Sequence, residues 1–226
     1  MQKSMISLLS IADCISLLNA NLGFLSIIMA FSGQVRLALS FILLALLADG
    51  LDGMVARKTK HGVLGEHFEA MADMTSMGIA PLVFVYATYQ NEISSCGYFQ
   101  MYFYVTVILF ISLSTIRLSS FHVLKDKNFF IGLPASAGTI IILMLSLLKI
   151  TYIAEILVIL IIALFMISPI KFPKTGIKMN SCAAVLIVLT IILEKSFSGA
   201  LPIILLIAIL TYVIVGPLHL QITRKG

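Results

Sequence analysis

The chain has 226 residues, 60% of them apolar and 11% charged, with a mean hydropathy of +1.11, far from the roughly 45–50% apolar and 25% charged residues of a soluble globular domain. That composition excludes an intrinsically disordered chain, and three scattered cysteines, Cys14, Cys96 and Cys182, exclude a disulfide-stapled secreted scaffold. A net charge of +5 and a pI near 9.2 do not make a nucleic-acid binder, because Lys and Arg are spread thinly between apolar runs and form no continuous basic face.

Inside lipid every backbone polar group must be satisfied within the chain, so long apolar runs are expected to be helices of about 17–25 residues. Eight runs qualify: 11–32, 36–57, 67–89, 101–122, 130–148, 151–170, 180–194 and 200–219, the seventh being the shortest. Residues 1–10 (MQKSMISLLS) read as a retained interfacial start without a signal-peptide cleavage site. No repeat, low-complexity tract or linker interrupts the pattern, so the expected fold is an all-α, polytopic transmembrane helical bundle of about eight spans forming one domain, 1–226.

Counting basic residues on alternate sides of these spans gives a strong asymmetry. One side collects Lys3, Arg57, Lys58, Lys60, Arg117, Lys125, Lys127, Lys171, Lys174, Lys178, Arg224 and Lys225, leaving Arg36, Lys149 and Lys195 for the other. This bias predicts an integral protein of the cell membrane with both termini in the cytoplasm.

The acids are the most informative feature. Of ten, five fall between residues 49 and 73: Asp49, Asp52, Glu66, Glu69 and Asp73. Asp49 and Asp52 are three apart near the cytoplasmic end of the second expected span, and Glu69 and Asp73 are four apart at the start of the third, so each pair lines one helix face. An antiparallel helix pair with its turn centred near His61 brings both pairs to similar depth. Four carboxylates facing one another repel, and divalent cations neutralise them. All-oxygen ligation without His or Cys favours Mg²⁺ or Mn²⁺, and four carboxylates suit two ions about 3.5–4 Å apart, as in two-metal phosphoryl-transfer sites. Gly53 and Ala56 let a ligand approach the backbone beside these acids, and Arg57 can pair with phosphate, which together accommodate a nucleotide diphosphate.

The run Asp49-Gly-Leu-Asp52-Gly53-Met-Val-Ala56-Arg57, followed by Gly65-x3-Glu69-x3-Asp73, resembles the signature D-x2-D-G-x2-A-R-x8-G-x3-D-x3-D of the CDP-alcohol phosphatidyltransferases. Two departures stand out: seven residues separate Arg57 from Gly65, and Glu69 occupies the place of the third Asp. Further segments resemble the phosphatidylserine synthase branch and its archaeal counterparts. Ser76-Met-Gly-Ile-Ala-Pro81 looks like S-F-G-V-A-P, and Asn19 to Gly23 (NANLG) like the first-span segment of these enzymes. Arg117-Leu-Ser-Ser-Phe-His122 and Phe130-Ile-Gly-Leu-Pro134 look like R-L-A-R-F-N and F-x-G-L-P, with Ser120 and His122 replacing the second Arg and the Asn. The resemblance covers about residues 10–140 and implies a catalytic core at about 11–148, with additional helices at about 151–219 completing the bundle.

The resemblance implies transfer of a phosphatidyl or archaetidyl group from a CDP-linked lipid to the hydroxyl of L-serine, with release of CMP. It assigns Asp49, Asp52, Glu69 and Asp73 to two metal ions and Asp73 also to proton removal from the attacking hydroxyl. Gly53 and Arg57 lead as contacts to the CDP group, with Ala56 beside them and Ser16 and Asn19 on the first span as further candidates; a helix–helix hydrogen bond is the other reading of Asn19. Arg117 is the cation best placed for the serine carboxylate, against the alternative of a snorkelling anchor. Lys125 and Lys127 read as inside-positive loop residues near anionic headgroups. Family resemblance implies a homodimer, and no nucleic acid is expected as a partner. Two alternatives are weighed: a relative using glycerol 3-phosphate or an inositol phosphate as acceptor, which calls for more basic residues, and a cation transporter, which calls for acids along a transmembrane path.

Overall fold

The structure, a computed structural model, describes residues 9–56, 64–121, 123–124, 126, 129–193 and 200–223. The chain folds into helices α1 (Ile11–Phe31), α2 (Val35–Ala56), α3 (Gly65–Asp73), α4 (Ala80–Thr88), α5 (Gln90–Ser95), α6 (Gly97–Phe121), α7 (Ala135–Leu147), α8 (Tyr152–Met166), α9 (Ile177–Leu193) and α10 (Ala200–Thr223). Two short strands, β1 (Phe129–Ile131) and β2 (Lys171–Pro173), and a π-helical segment, Met74–Ile79, are the remaining regular elements among the described residues. Among the described residues, five helical stretches are long and apolar enough to cross a membrane: Ile11–Phe31, Val35–Val55, Gly65–Thr88, Gly97–Phe121 and Ala200–Leu220. The other three expected spans form shorter apolar helices, Ala135–Leu147, Tyr152–Met166 and Met179–Leu193, so among the described residues five of the eight expected spans reach crossing length.

Helix α1 begins on a reciprocal cap. The Ser10 hydroxyl accepts the Asp13 N–H at 3.2 Å, and the Asp13 carboxylate accepts the Ser10 N–H at 2.7 Å. Along α1 the buried residues are Ala12, Asp13, Ser16, Asn19, Gly23, Ser26 and Ala30, while Leu17, Leu18, Phe24 and Leu25 are exposed. The inward stripe, repeating every three or four positions, is small and polar, and the outward surface is apolar, as a lipid-facing helix requires. Gly33, at φ +73°, turns the chain between α1 and α2 in a conformation open to glycine.

The third expected span is one continuous helical rod with a π-helical segment, Met74–Ile79, between α3 and α4. Pro81 has no N–H, which removes the α-helical donor for the Met77 carbonyl. Thr139 of α7 supplies a substitute, its hydroxyl donating to that carbonyl at 3.2 Å. Gly23 of α1 packs on the same segment so closely that a Cβ there would lie 2.8 Å from the Ser76 Cα. The segment after Asp73 is thus gripped from two sides.

The fifth and sixth expected spans, 130–148 and 151–170, need correction. Helix α7 starts at Ala135 and α8 stops at Met166, because the flanking residues pair as antiparallel strands, Phe129 with Pro173, Phe130 with Phe172 and Ile131 with Lys171. Gly132 adopts φ +76°, and a Cβ on it would stand 2.1 Å from the Met166 carbonyl oxygen. Its N–H donates to Ile170 O at 2.8 Å, the Leu133 N–H donates to Phe165 O at 3.0 Å, and Pro134 then occupies the extended cap position of α7. The Phe-Ile-Gly-Leu-Pro run is therefore a clasp holding the start of α7 to the end of α8. At the opposite end of the bundle, Tyr89 donates to Ile150 O at 2.8 Å, Tyr152 to Phe99 O at 2.6 Å, and Ser146 to the buried Glu155 at 2.7 Å.

Candidate active site

Asp49 and Asp52 lie in the last two turns of α2, and Glu69 and Asp73 lie on α3, whose final residue is Asp73. The two pairs come together. Asp49 lies against Asp73 and within the electrostatic field of Asp52 and Glu69. Asp73 in turn lies within the field of Asp49, Glu69 and Asp52. Asp52 is buried and the other three are partly exposed, while Glu66 is exposed and stands apart in burial from the set.

Helix α1 supplies the groups that orient these acids. Ser16 donates its hydroxyl to Asp52 at 2.7 Å, and the Asn19 amide donates to Asp73 Oδ1 at 3.1 Å. Both are buried, and the Asn19 Oδ1 has no hydrogen-bond partner among the described residues. Ser16 and Asn19, expected against the CDP group, are therefore hydrogen-bonded to the acids in the structure. The signal for this role was the small and polar stripe of α1, whose spacing points both residues at the same neighbours.

The donor set suits a hard divalent cation, since it offers carboxylate oxygens alone. It is not a closed cage as it stands: among the described residues, no three His, Cys, Asp or Glu side chains form a metal-holding group. Gly53 is exposed, with nothing within 4 Å of where a Cβ would be, so the backbone beside Asp52 is open to a ligand. The side chain of Ala56 and the whole of Arg57 lie outside the described residues, as do His61, His122, Lys125 and Lys127.

Arg117, near the end of α6, is buried, 8% exposed, and its charge is within electrostatic reach of Asp73. Its guanidinium carbon sits 5.1 Å from the Phe121 ring centroid, and Nε is buried without a hydrogen-bond partner among the described residues. A snorkelling anchor would extend its head into water; this one is folded into the protein beside the acids. Lys174, from the half of the chain that carries no recognised motif, also reaches this region, donating to the main-chain oxygen of Asp126 at 2.5 Å and lying 5.2 Å from the Phe130 ring centroid. Sequence reading missed that contribution, because nothing local to Lys174 announces the strand pairing that brings it there.

Residues 9–216 match the family model described as CDP-alcohol phosphatidyltransferase. The chain is 32% identical over 182 residues to an archaetidylserine synthase of Methanothermobacter thermautotrophicus, an alignment covering 76% of this chain and 73% of that protein. It is 30% identical over 168 residues to a CDP-diacylglycerol--serine O-phosphatidyltransferase of Methanocaldococcus jannaschii, covering 74% of this chain and 75% of that one. To the protein of the same description from Mycobacterium leprae it is 33% identical over 139 residues, covering 58% of this chain and 44% of the relative.

Proposed function

Since the chain belongs to the CDP-alcohol phosphatidyltransferase family, we propose that it transfers a phosphatidyl or archaetidyl group from a CDP-linked lipid to the hydroxyl of L-serine, releasing CMP. The observation that carries the reading is the meeting of four carboxylates from α2 and α3 beside the buried Arg117. In the transfer, the serine oxygen forms a bond to the lipid-side phosphorus, the bond from that phosphorus to the CMP oxygen breaks, and the hydroxyl proton passes to a carboxylate. Asp73 is assigned that proton, its Oδ1 being fixed by the Asn19 amide.

Asp49, Asp52, Glu69 and Asp73 would hold the divalent cations, Mg²⁺ or Mn²⁺, which when bound supply charge neutralisation for the pyrophosphate and the departing CMP. The open backbone at Gly53 admits the CDP group, and Arg57 is assigned to its phosphates. Asn19 keeps its buried Oδ1 as an acceptor for a donor on that group. Arg117 takes the serine carboxylate, a charge-assisted contact in a poorly solvated place. The basic asymmetry supports a site on the cytoplasmic side of the cell membrane, and a homodimer is the proposed assembly.

The deciding experiment supplies purified protein with a CDP-lipid and Mn²⁺ or Mg²⁺ and compares serine, glycerol 3-phosphate and an inositol phosphate for CMP release. Release should depend on serine, vanish with chelator, and fall by roughly 100-fold or more in Asp73→Asn, the scale of losing a general base. CMP release equally fast without any acceptor would overturn the transferase reading.

A further inference from the structure

Asp73 is the last residue of α3, and the π-helical segment Met74–Ile79 begins directly after it. Within that segment the main chain has slipped by one position: the Ala80 N–H donates to Thr75 O, five residues back. Pro81, next in line, brings no N–H to the buried Met77, and the Thr139 hydroxyl of α7 donates to the Met77 carbonyl instead, at 3.2 Å. From this geometry we infer that Thr139 is a positioning residue for the reaction: by holding the slipped segment it fixes the rotation of Asp73 toward the Asn19 amide. The inference rests on the assignment of the hydroxyl proton to Asp73 above and extends it to α7, beyond the helices that carry the acids.

π-helical pitch is rare and clusters at functional sites. Here the rod is held on two sides. From α1, Asn19 donates to Asp73 Oδ1 at 3.1 Å, and one turn further along the same helix a Cβ at Gly23 would stand 2.8 Å from the Ser76 Cα. Ser76 is buried and returns its hydroxyl to Ala72 O at 3.1 Å, so that group is engaged within the rod. Thr139, 1% exposed, holds the other side from α7. Its own place is set by the clasp, because the Gly132 and Leu133 N–H groups bind Ile170 O and Phe165 O immediately before α7 begins. Without the hydroxyl, the Met77 carbonyl loses this donor in a buried place, and the segment must move to find another. A helix passes such movement on as rotation, about 100° for each residue of slip, and Asp73 lies one turn away. A fraction of that slip turns its carboxylate off the Asn19 amide.

The test uses the full chain in lipid nanodiscs with a CDP-lipid, L-serine and saturating Mn²⁺ or Mg²⁺, and follows CMP release. Thr139→Val keeps the branched shape and removes the donor. Its kcat should fall about 10- to 100-fold, the scale of a reacting group displaced by up to about an ångström, while the KM values for serine and CDP-lipid stay within about twofold. Thr139→Ser retains the hydroxyl and should recover kcat to within about threefold of the unmodified protein. Should Thr139→Val not yield folded protein, Thr139→Cys, of similar volume and with a weaker donor, takes its place, with a smaller loss in the same pattern expected. A double-mutant cycle with Asn19→Leu separates positioning from general loosening: two changes acting through one carboxylate should together cost less than the product of their separate factors. An unchanged kcat in Thr139→Val, equal losses in Thr139→Val and Thr139→Ser, or fully multiplicative effects with Asn19→Leu overturns the inference while leaving the serine reading intact. Absence of serine-dependent CMP release from the unmodified protein overturns that reading itself.

Discussion

Asn19 is a fully buried amide on the inward stripe of α1, and it donates to the carboxylate assigned to the proton transfer. Asn19→Leu keeps a helix-compatible side chain of similar size but leaves Asp73 unoriented, and CMP release should fall by about 10- to 100-fold, the range for one preorganised polar contact. The KM for CDP-lipid should move little, which steady-state kinetics in detergent would check. Ser16 holds Asp52 in the same way, through a single hydroxyl. At this scale the sequence was legible in residue type but not in partnership. The four acids, Gly53 and Arg117 were identified from spacing and motif, and the structure brings the acids together with Arg117 nearby. Ser16 and Asn19 stand out as candidates from their place on the first span, with a helix–helix hydrogen bond as the other reading of Asn19, and the structure shows them bonded to Asp52 and Asp73. Asp126 and Lys174 were invisible as a pair, since 48 residues separate them and a strand pairing joins them.

Among the elements, the clasp between β1 and β2 is the part least predictable from periodicity. Apolar runs such as 130–148 read as helix because a strand of three residues has too few positions to show alternation. The local punctuation was present, however: Gly132 and Pro134 mark the break, and the structure shows why each residue is needed. Gly132→Ala must both adopt a left-handed conformation and displace the Met166 carbonyl, so it should cost about 1–3 kcal/mol and loosen the clasp. A lowered unfolding temperature is the expected signature, and an unaltered one would show that the clasp is dispensable. The π-helical segment was equally unread, although Pro81 and the Ser76-Met-Gly run lay in plain view. Its form depends on Thr139 reaching across from α7, a contact between residues 62 positions apart.

Taken as a whole, the molecule is an all-α bundle with its carboxylates, Arg117 and the clasp at one end and the Tyr89, Tyr152 and Glu155 contacts at the other. The fold class was readable from composition and from run length, while the count of full-length spans was not: α7 and α8 are shortened by the clasp rather than by loss of apolar character, and α9 is short as its run 180–194 already was. The proposed orientation has a direct probe in the native thiols. Cys96, between α5 and α6, is exposed at the end away from the acids, whereas Cys14 lies in the first turn of α1 at the acid end. A membrane-impermeant maleimide applied to intact cells should modify Cys96 in a C14S, C182S background and spare Cys14 in a C96S, C182S background until the cells are permeabilised. The reverse pattern would invert the assignment of sides.

The extra residue accommodated in Met74–Ile79 fixes the helical phase of everything that follows. Each residue of an α-helix turns the chain by about 100°, so deleting one position there would swing Pro81 and the Phe84 face of α4 away from α1 and α7. A length change in the interval between Arg57 and Gly65, where this chain is already one residue shorter than the family signature, carries no such rotation into the rod beyond Asp73. Insertions and deletions should therefore be tolerated very unequally at two places only about ten residues apart, and a scan of single-codon indels would map that contrast.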